Sequence, residues 1–149
     1  GLSIRETAEQ TREDIDAIIA LNLNSVIYGS GIFAEVMKQQ KSGIIINISS
    51  VCAKHAWGGW SVYAAAKAGV LAFTKGLYVE LQKYGVRATC LIPASASTGF
   101  QSAAHLAETN DSLSVDDIAS AVYYAAALPE RAVVEEMTVW GTSQVVEPL

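Results

Sequence analysis

Apolar positions recur every three or four residues at Ile15, Ile18, Ile19, Val26, Phe33, Val36 and Met37, with Asn22 on the same stripe. That spacing gathers them on one face and predicts one long helix from Thr11 to Lys41, irregular at Asn22. Thr11-Arg12-Glu13-Asp14 opens it, because the threonine can cap exposed backbone N–H groups and Asp14 suits the first turn. Then the pattern changes. Gly43-Ile44-Ile45-Ile46-Asn47-Ile48-Ser49 and Val86-Arg87-Ala88-Thr89-Cys90-Leu91-Ile92 are near-continuous apolar runs, the second ending at Pro93, and they predict strands of a parallel sheet covered on both faces. A helix-forming run lies between them and extends to Tyr84. Ser114-Val115-Asp116-Asp117 caps a further helix to about Leu128, with Pro129 beyond it, and Glu136 to Gly141 makes a third strand. The pattern is α/β: about three parallel strands with flanking helices, read as a single domain over residues 1–149. Gly1 to Gln10 reads as a connector, and the polar, Ala/Ser-rich stretch from Gly99 to Leu113 as a mobile flap over a small-molecule site.

Composition narrows the function classes. The chain has 149 residues, 51% of them hydrophobic and 17% charged, which suits a folded soluble domain. A net charge of -5 with scattered basic residues argues against a nucleic-acid surface. The apolar run Leu21 to Phe33 is interrupted by Asn22, Asn24, Ser25 and Ser30, so no uninterrupted apolar stretch of about eighteen residues marks a membrane span. No signal peptide is evident, and the cytoplasm is the expected compartment. Cys52 and Cys90 have neither metal-ligand nor disulfide spacing and read as reduced structural thiols. His55 and His105, fifty residues apart, leave a histidine metal site or triad little to work with; both read as solvated loop or helix-end residues.

The chemistry concentrates in Ser50 to Lys67, between the first strand and the helix that follows. Tyr63 and Lys67, four residues apart, share one helical face. A phenol titrates near ~10, and a neighbouring ammonium lowers that value, so such a tyrosine is expected to exchange protons nearer neutrality. Ser50 ends the strand, where a short loop can bring its hydroxyl beside the phenol. Together the three could hold and protonate a carbonyl oxygen, or take the proton from an alcohol. The intervening Trp57-Gly58-Gly59-Trp60 either walls a substrate pocket or simply covers the end of the sheet.

A serine thirteen residues before Tyr-x-x-x-Lys, followed by an Ala-rich helix, resembles the short-chain dehydrogenase/reductase family. The resemblance implies a Rossmann-like, doubly wound fold and an NAD(P)-dependent oxidoreductase that passes hydride between a nicotinamide and a carbonyl or alcohol. It makes Ser50, rather than Ser49, the serine that binds the substrate oxygen, Tyr63 the general acid/base, and Lys67 the group that lowers its pKa and holds the cofactor ribose. Asn22, in Asn22-Leu23-Asn24-Ser25-Val26, matches the asparagine that holds a relay water. After the second strand the family has Pro-Gly and then a threonine on the nicotinamide carboxamide. Pro93 and Thr98 match, but Ala94 replaces the glycine, and Thr89 stands where the family often has asparagine.

The resemblance covers essentially the whole chain but only the C-terminal portion of the family. Gly1 aligns with the last residue of its Asn-Asn-Ala-Gly segment, so the sheet looks cut in the middle, without the glycine-rich phosphate loop or the residue that selects NAD or NADP. Gly29, Gly31 and Ala34 reproduce the spacing of that loop, yet they lie within a helical pattern and read as close helix packing. Ile44-Ile45-Ile46 is then an exposed edge, which predicts association with a missing N-terminal half or with a second copy. By the resemblance, the long helix around Asn22 and the helix after Tyr63 offer a dimer surface. Two other readings are a cofactor-free, inactive remnant or association module, and an epimerase or dehydratase sharing Tyr-x-x-x-Lys. The short segment after Pro93 leaves the latter little room for a larger substrate.

Overall fold

A computed structural model of the chain describes residues 4–99 and 112–144. Strands β1 (Gly43–Ile48), β2 (Val86–Pro93) and β3 (Glu136–Val139) form one sheet in the order β1-β2-β3, with both pairings parallel. Gly43 to Ile48 run alongside Val86 to Leu91, and Cys90 to Pro93 alongside Glu136 to Val139. Helix α1 (Arg12–Ile19) continues through a widened π turn, Ala20–Asn24, into α2 (Ser25–Gln40). Helix α3 (Ser61–Leu81) joins β1 to β2, and α4 (Val115–Ala127) precedes β3. The predicted α/β architecture is present. Residues 100–111, most of the expected flap, lie outside the described residues, as do residues 1–3 and 145–149.

The local signals act as read. Thr11 and Asp14 form a reciprocal capping box, Asp14 N–H to Thr11 Oγ1 at 3.1 Å and Thr11 N–H to Asp14 Oδ2 at 3.3 Å. Ser114 and Asp117 repeat it on α4, at 3.1 and 2.8 Å. Such caps satisfy N–H groups that a helix cannot use internally. The irregularity at Asn22 is the π turn, in which the Ser25 N–H reaches back to the Ala20 carbonyl. Asn22 and Ser25 side chains donate to the Ile18 and Leu21 carbonyls, at 2.9 and 2.6 Å, within and beside that turn. At Gly85, φ is +72°, and a Cβ would lie 2.8 Å from the Lys41 carbonyl oxygen, so only glycine fits between α3 and β2.

Side chains alternate across β2. Val86, Ala88, Cys90 and Ile92 face α3, packing with Leu77 and Leu81 at one end and Val70 and Val51 at the other. Arg87 points the opposite way and donates to the Leu128, Ala132 and Ala126 carbonyls, at 3.0, 3.2 and 3.4 Å, placing a cation at the C-terminus of α4. One buried polar chain crosses the layers: Ser30 Oγ donates to Asn47 Oδ1 (3.1 Å), Asn47 Nδ2 to Thr74 Oγ1 (3.0 Å), and Thr74 Oγ1 to the Val70 carbonyl (2.7 Å). It ties α2, β1 and α3 together.

Gly29 and Gly31 do lie inside α2, but not for close packing. A Cβ at either would meet nothing within 4 Å, whereas Ala34 is buried. The close approach is instead at Gly69, where a Cβ would stand 3.0 Å from the Leu23 methyl carbons. Strand β1 pairs only with β2 among the described residues, and a groove of about 500 Å³ runs along its other side, lined by Phe33, Met37 and Ile44 to Ile48. Beside it Tyr28, Ile32, Phe33 and Val36 are exposed on α2. The helical run Arg12–Gln40 is long and apolar enough, by length and composition alone, to cross a membrane. Its buried Ser30 and Ala34, however, are packed against β1 and the core of the sheet.

Candidate active site

Ser50 leaves β1 in an extended conformation and caps the short 3-10 turn Val51–Ala53, accepting from the Cys52 N–H at 3.2 Å. With an acceptor site so occupied, its proton is available to the two groups beside it, the Tyr63 phenol and the Cys52 thiol. Tyr63 sits in the first turn of α3 and is buried, against Cys52, Ile18 and Ala64. Lys67, one turn on, holds its Nζ 5.6 Å from the centre of the Tyr63 ring and donates to the Ile48 carbonyl at 3.3 Å. The Ser49 hydroxyl donates to the Lys67 carbonyl at 2.8 Å. Consecutive residues at the end of β1 thus hold Lys67 by side chain and by backbone. The structure brings Ser50, Tyr63 and Lys67 to one place at the carboxyl end of the sheet, where ligands of open α/β sheets bind.

Electrostatics correct one expectation. Burial pushes the Tyr63 phenol up to about 12; the charge of Cys52 adds to this, and the Ser50 hydrogen bond only partly opposes it. Lys67 does not draw it toward neutrality, since the ammonium lies over the ring face and is turned to the Ile48 carbonyl. Lys67 is itself lowered, foremost by burial, with the cysteines opposing. The Cys52 thiol is raised, again foremost by burial. At neutral pH the Tyr63 phenol is therefore protonated.

The other named residues are placed differently. The Asn22 amide turns back on its own helix to Ile18, within the π turn that packs on α3. Pro93 is buried at the end of β2, and Thr98 is exposed five residues further on, past the Ala96–Leu113 bridge. His55, read as solvated, is half-buried between Trp57 and Trp140, with ring centres at 6.3 and 5.8 Å. Trp57 meets Trp60 at 6.5 Å, and Trp60 meets Tyr63 at 5.9 Å. Sequence reasoning missed this continuous line of rings because Trp140 arrives from β3. It also missed Glu136, whose carboxylate pairs with Lys54 behind Ser50 and with Lys75 of α3 (2.8 Å), and is held below the usual carboxylate range first by Lys54 and then by Lys75. Ser49 had a legible signal: strand alternation puts it on the Ile45 and Asn47 face, toward α3.

A parallel sheet with flanking helices, carrying a serine, a phenol and an ammonium at its carboxyl rim, defines a Rossmann-like protein. Comparison with known proteins agrees: residues 1–109 match the model of the short chain dehydrogenase family. The chain belongs to that family of oxidoreductases. Tropinone reductase-like 2 of Erythroxylum coca is 36% identical over 110 residues, 74% of this chain and 40% of that protein. The closed form of a serine dehydrogenase complexed with NADP+ superposes with a TM-score of 0.91 at 24% identity, over 100% of this chain and 64% of that one. A short-chain dehydrogenase from Sphingobium yanoikuyae in complex with NADPH gives 0.77 at 27% identity, over 91% and 53%. The chain spans about half the length of the curated relatives it matches.

Proposed function

We propose that this chain supplies the proton-transfer half of an NAD(P)-dependent oxidoreductase acting on a carbonyl or alcohol. The observation that carries the reading is the contact of the Ser50 hydroxyl with a buried, neutral Tyr63 beside Lys67. Ser50, which accepts from the Cys52 N–H and keeps its own proton to donate, orients the substrate oxygen, and Tyr63 delivers the proton to it. A phenol protonated at pH 7 is in the form that can donate a proton to a carbonyl oxygen. The donor set fits the nicotinamide-ribose end of the cofactor: Lys67 and Tyr63 lie side by side, with Pro93 ending β2 and Thr98 beyond it. When bound there, the nicotinamide supplies the hydride. Asn22, in the widened turn against α3, is assigned the relay water. Among the described residues no strand–turn–helix cradle for a pyrophosphate is found, since the Gly29–Ala34 spacing falls mid-helix, where N–H groups are used internally.

The pyrophosphate site is therefore assigned to an N-terminal half docking along the free side of β1, with the apolar stripe of α2 and the exposed Val79 of α3 as a second surface for homo-oligomers. Two buried free cysteines suit a reducing cytoplasm. The chain alone would then be inactive, which keeps the association-module reading for the isolated chain. In a chain joined to its N-terminal half, Tyr63→Phe is expected to abolish NADPH-dependent carbonyl reduction while leaving the circular dichroism spectrum intact and weakening cofactor binding far less than turnover. Retained turnover would sink the assignment.

A further inference from the structure

We propose that the site receives the aromatic ring of a neutral aryl ketone, or of the corresponding carbinol, and that Trp57 and Trp60 are its specificity-determining residues. The inference rests on the oxidoreductase reading only for which atom reacts. Starting from Tyr63, rings follow one another through Trp60, Trp57, His55 and Trp140 at centre distances of 5.8 to 6.5 Å. Three of the four contacts are edge-to-face, with planes at 62° to 74°, and the His55–Trp57 pair is tilted at 42°. An aryl group whose carbonyl is held at the Tyr63 hydroxyl would lie alongside this line, against Trp60 and the exposed Trp57. An aliphatic chain there gains burial but no edge-to-face term. Trp60 is partly buried in the core beside Tyr63, while Trp57 is exposed and free to meet a ligand.

Charge decides against an anionic substrate. Lys54 has its ammonium on Glu136 and Thr138, and Arg5, whose N–H binds the Gly59 carbonyl, has its guanidinium 3.8 Å from Asp14. Lys67 faces the Tyr63 ring and the Ile48 carbonyl. Among the described residues, Lys54 and Arg5 are paired with carboxylates, and Lys67 is turned to a backbone carbonyl and a ring face. A 2-oxo acid would lose its hydration at an aromatic wall without a counter-charge.

The chain carries its own probe, since its three tryptophans, Trp57, Trp60 and Trp140, all stand in this line. Tryptophan emission of the 149-residue chain, excited at the red edge, would be titrated with acetophenone, cyclohexyl methyl ketone and phenylglyoxylate, with free N-acetyltryptophanamide as the collisional control. Acetophenone is expected to quench saturably and to bind tightest. Trp57→Leu should weaken it by roughly two- to tenfold, the range of one aromatic pair, leave the cyclohexyl ketone within about twofold, and be rescued by Trp57→Phe. Linear quenching matching the free indole, equal binding of the cyclohexyl ketone, or preference for phenylglyoxylate would each overturn the proposal. In the chain joined to its N-terminal half, binding without turnover removes the oxidoreductase reading and leaves the wall standing. Turnover indifferent to the aryl group does the reverse.

Discussion

Tyr63 shows how a single residue's surroundings outvote its neighbour in sequence. Its partner Lys67 is where the i, i+4 spacing puts it, yet the phenol is pushed up to about 12 because it is buried and the ammonium lies over its face. The consequence is a stability effect with a definite sign. Between pH ~10, where an unfolded tyrosine ionises, and about 12, the unfolded chain has released a proton that the folded chain keeps, so stability falls as pH rises through this window. The loss is on the order of 2 kcal/mol at its upper end. Lys67, lowered in the folded state, acts oppositely, with stability rising toward the unfolded lysine value. Urea midpoints of the wild type and Tyr63→Phe compared from pH 9 to 11.5 should diverge, the wild type falling more steeply; parallel curves would show that the phenol is not buried as described. The shared helical face of Tyr63 and Lys67 was legible from spacing, and Ser50 beside them from the family resemblance. Their proton affinities were not, because desolvation depends on Ile18 and Cys52, which no spacing rule pairs with Tyr63.

At the scale of elements, the caps at Thr11 and Ser114, the strands and the helix ends were readable because each is a local signal. What was not readable was how elements are locked in register. Asn47, written as one polar residue in an apolar run, is the middle of the chain from Ser30 to Thr74, and its partners are 17 and 27 residues away. Asn47→Ala would strand the Ser30 hydroxyl and remove a bond from Thr74, at a cost of about 1–3 kcal/mol. Denaturant unfolding is the measurement, and Asn47→Leu, which restores apolar volume but not the hydrogen bonds, should recover part of the loss at most. The same reasoning explains the glycines misread in α2. Small residues at three- and two-residue spacing imply packing only if another element arrives, and here the neighbour came to Gly69 instead.

For the whole molecule, β1 reads in the sequence as an interior strand, and the structure leaves one side of it unpaired among the described residues. Sedimentation at micromolar concentration is expected to show the chain associated. Ile46→Lys, a charge on the edge strand, should shift it toward monomer; a wild-type monomer would count against docking at this edge. The direction of the strands adds something that pairing alone does not. Because every strand here is parallel, Ser50, Ala94 and Trp140 all leave the sheet at one rim. A new strand laid parallel to β1 delivers its following turn to that rim, beside Lys67, whereas an antiparallel one delivers it to the far end of a six-residue strand, about 20 Å away. Which way an incoming chain runs therefore decides whether its next turn lies at the rim beside Lys67 or at the opposite end of β1.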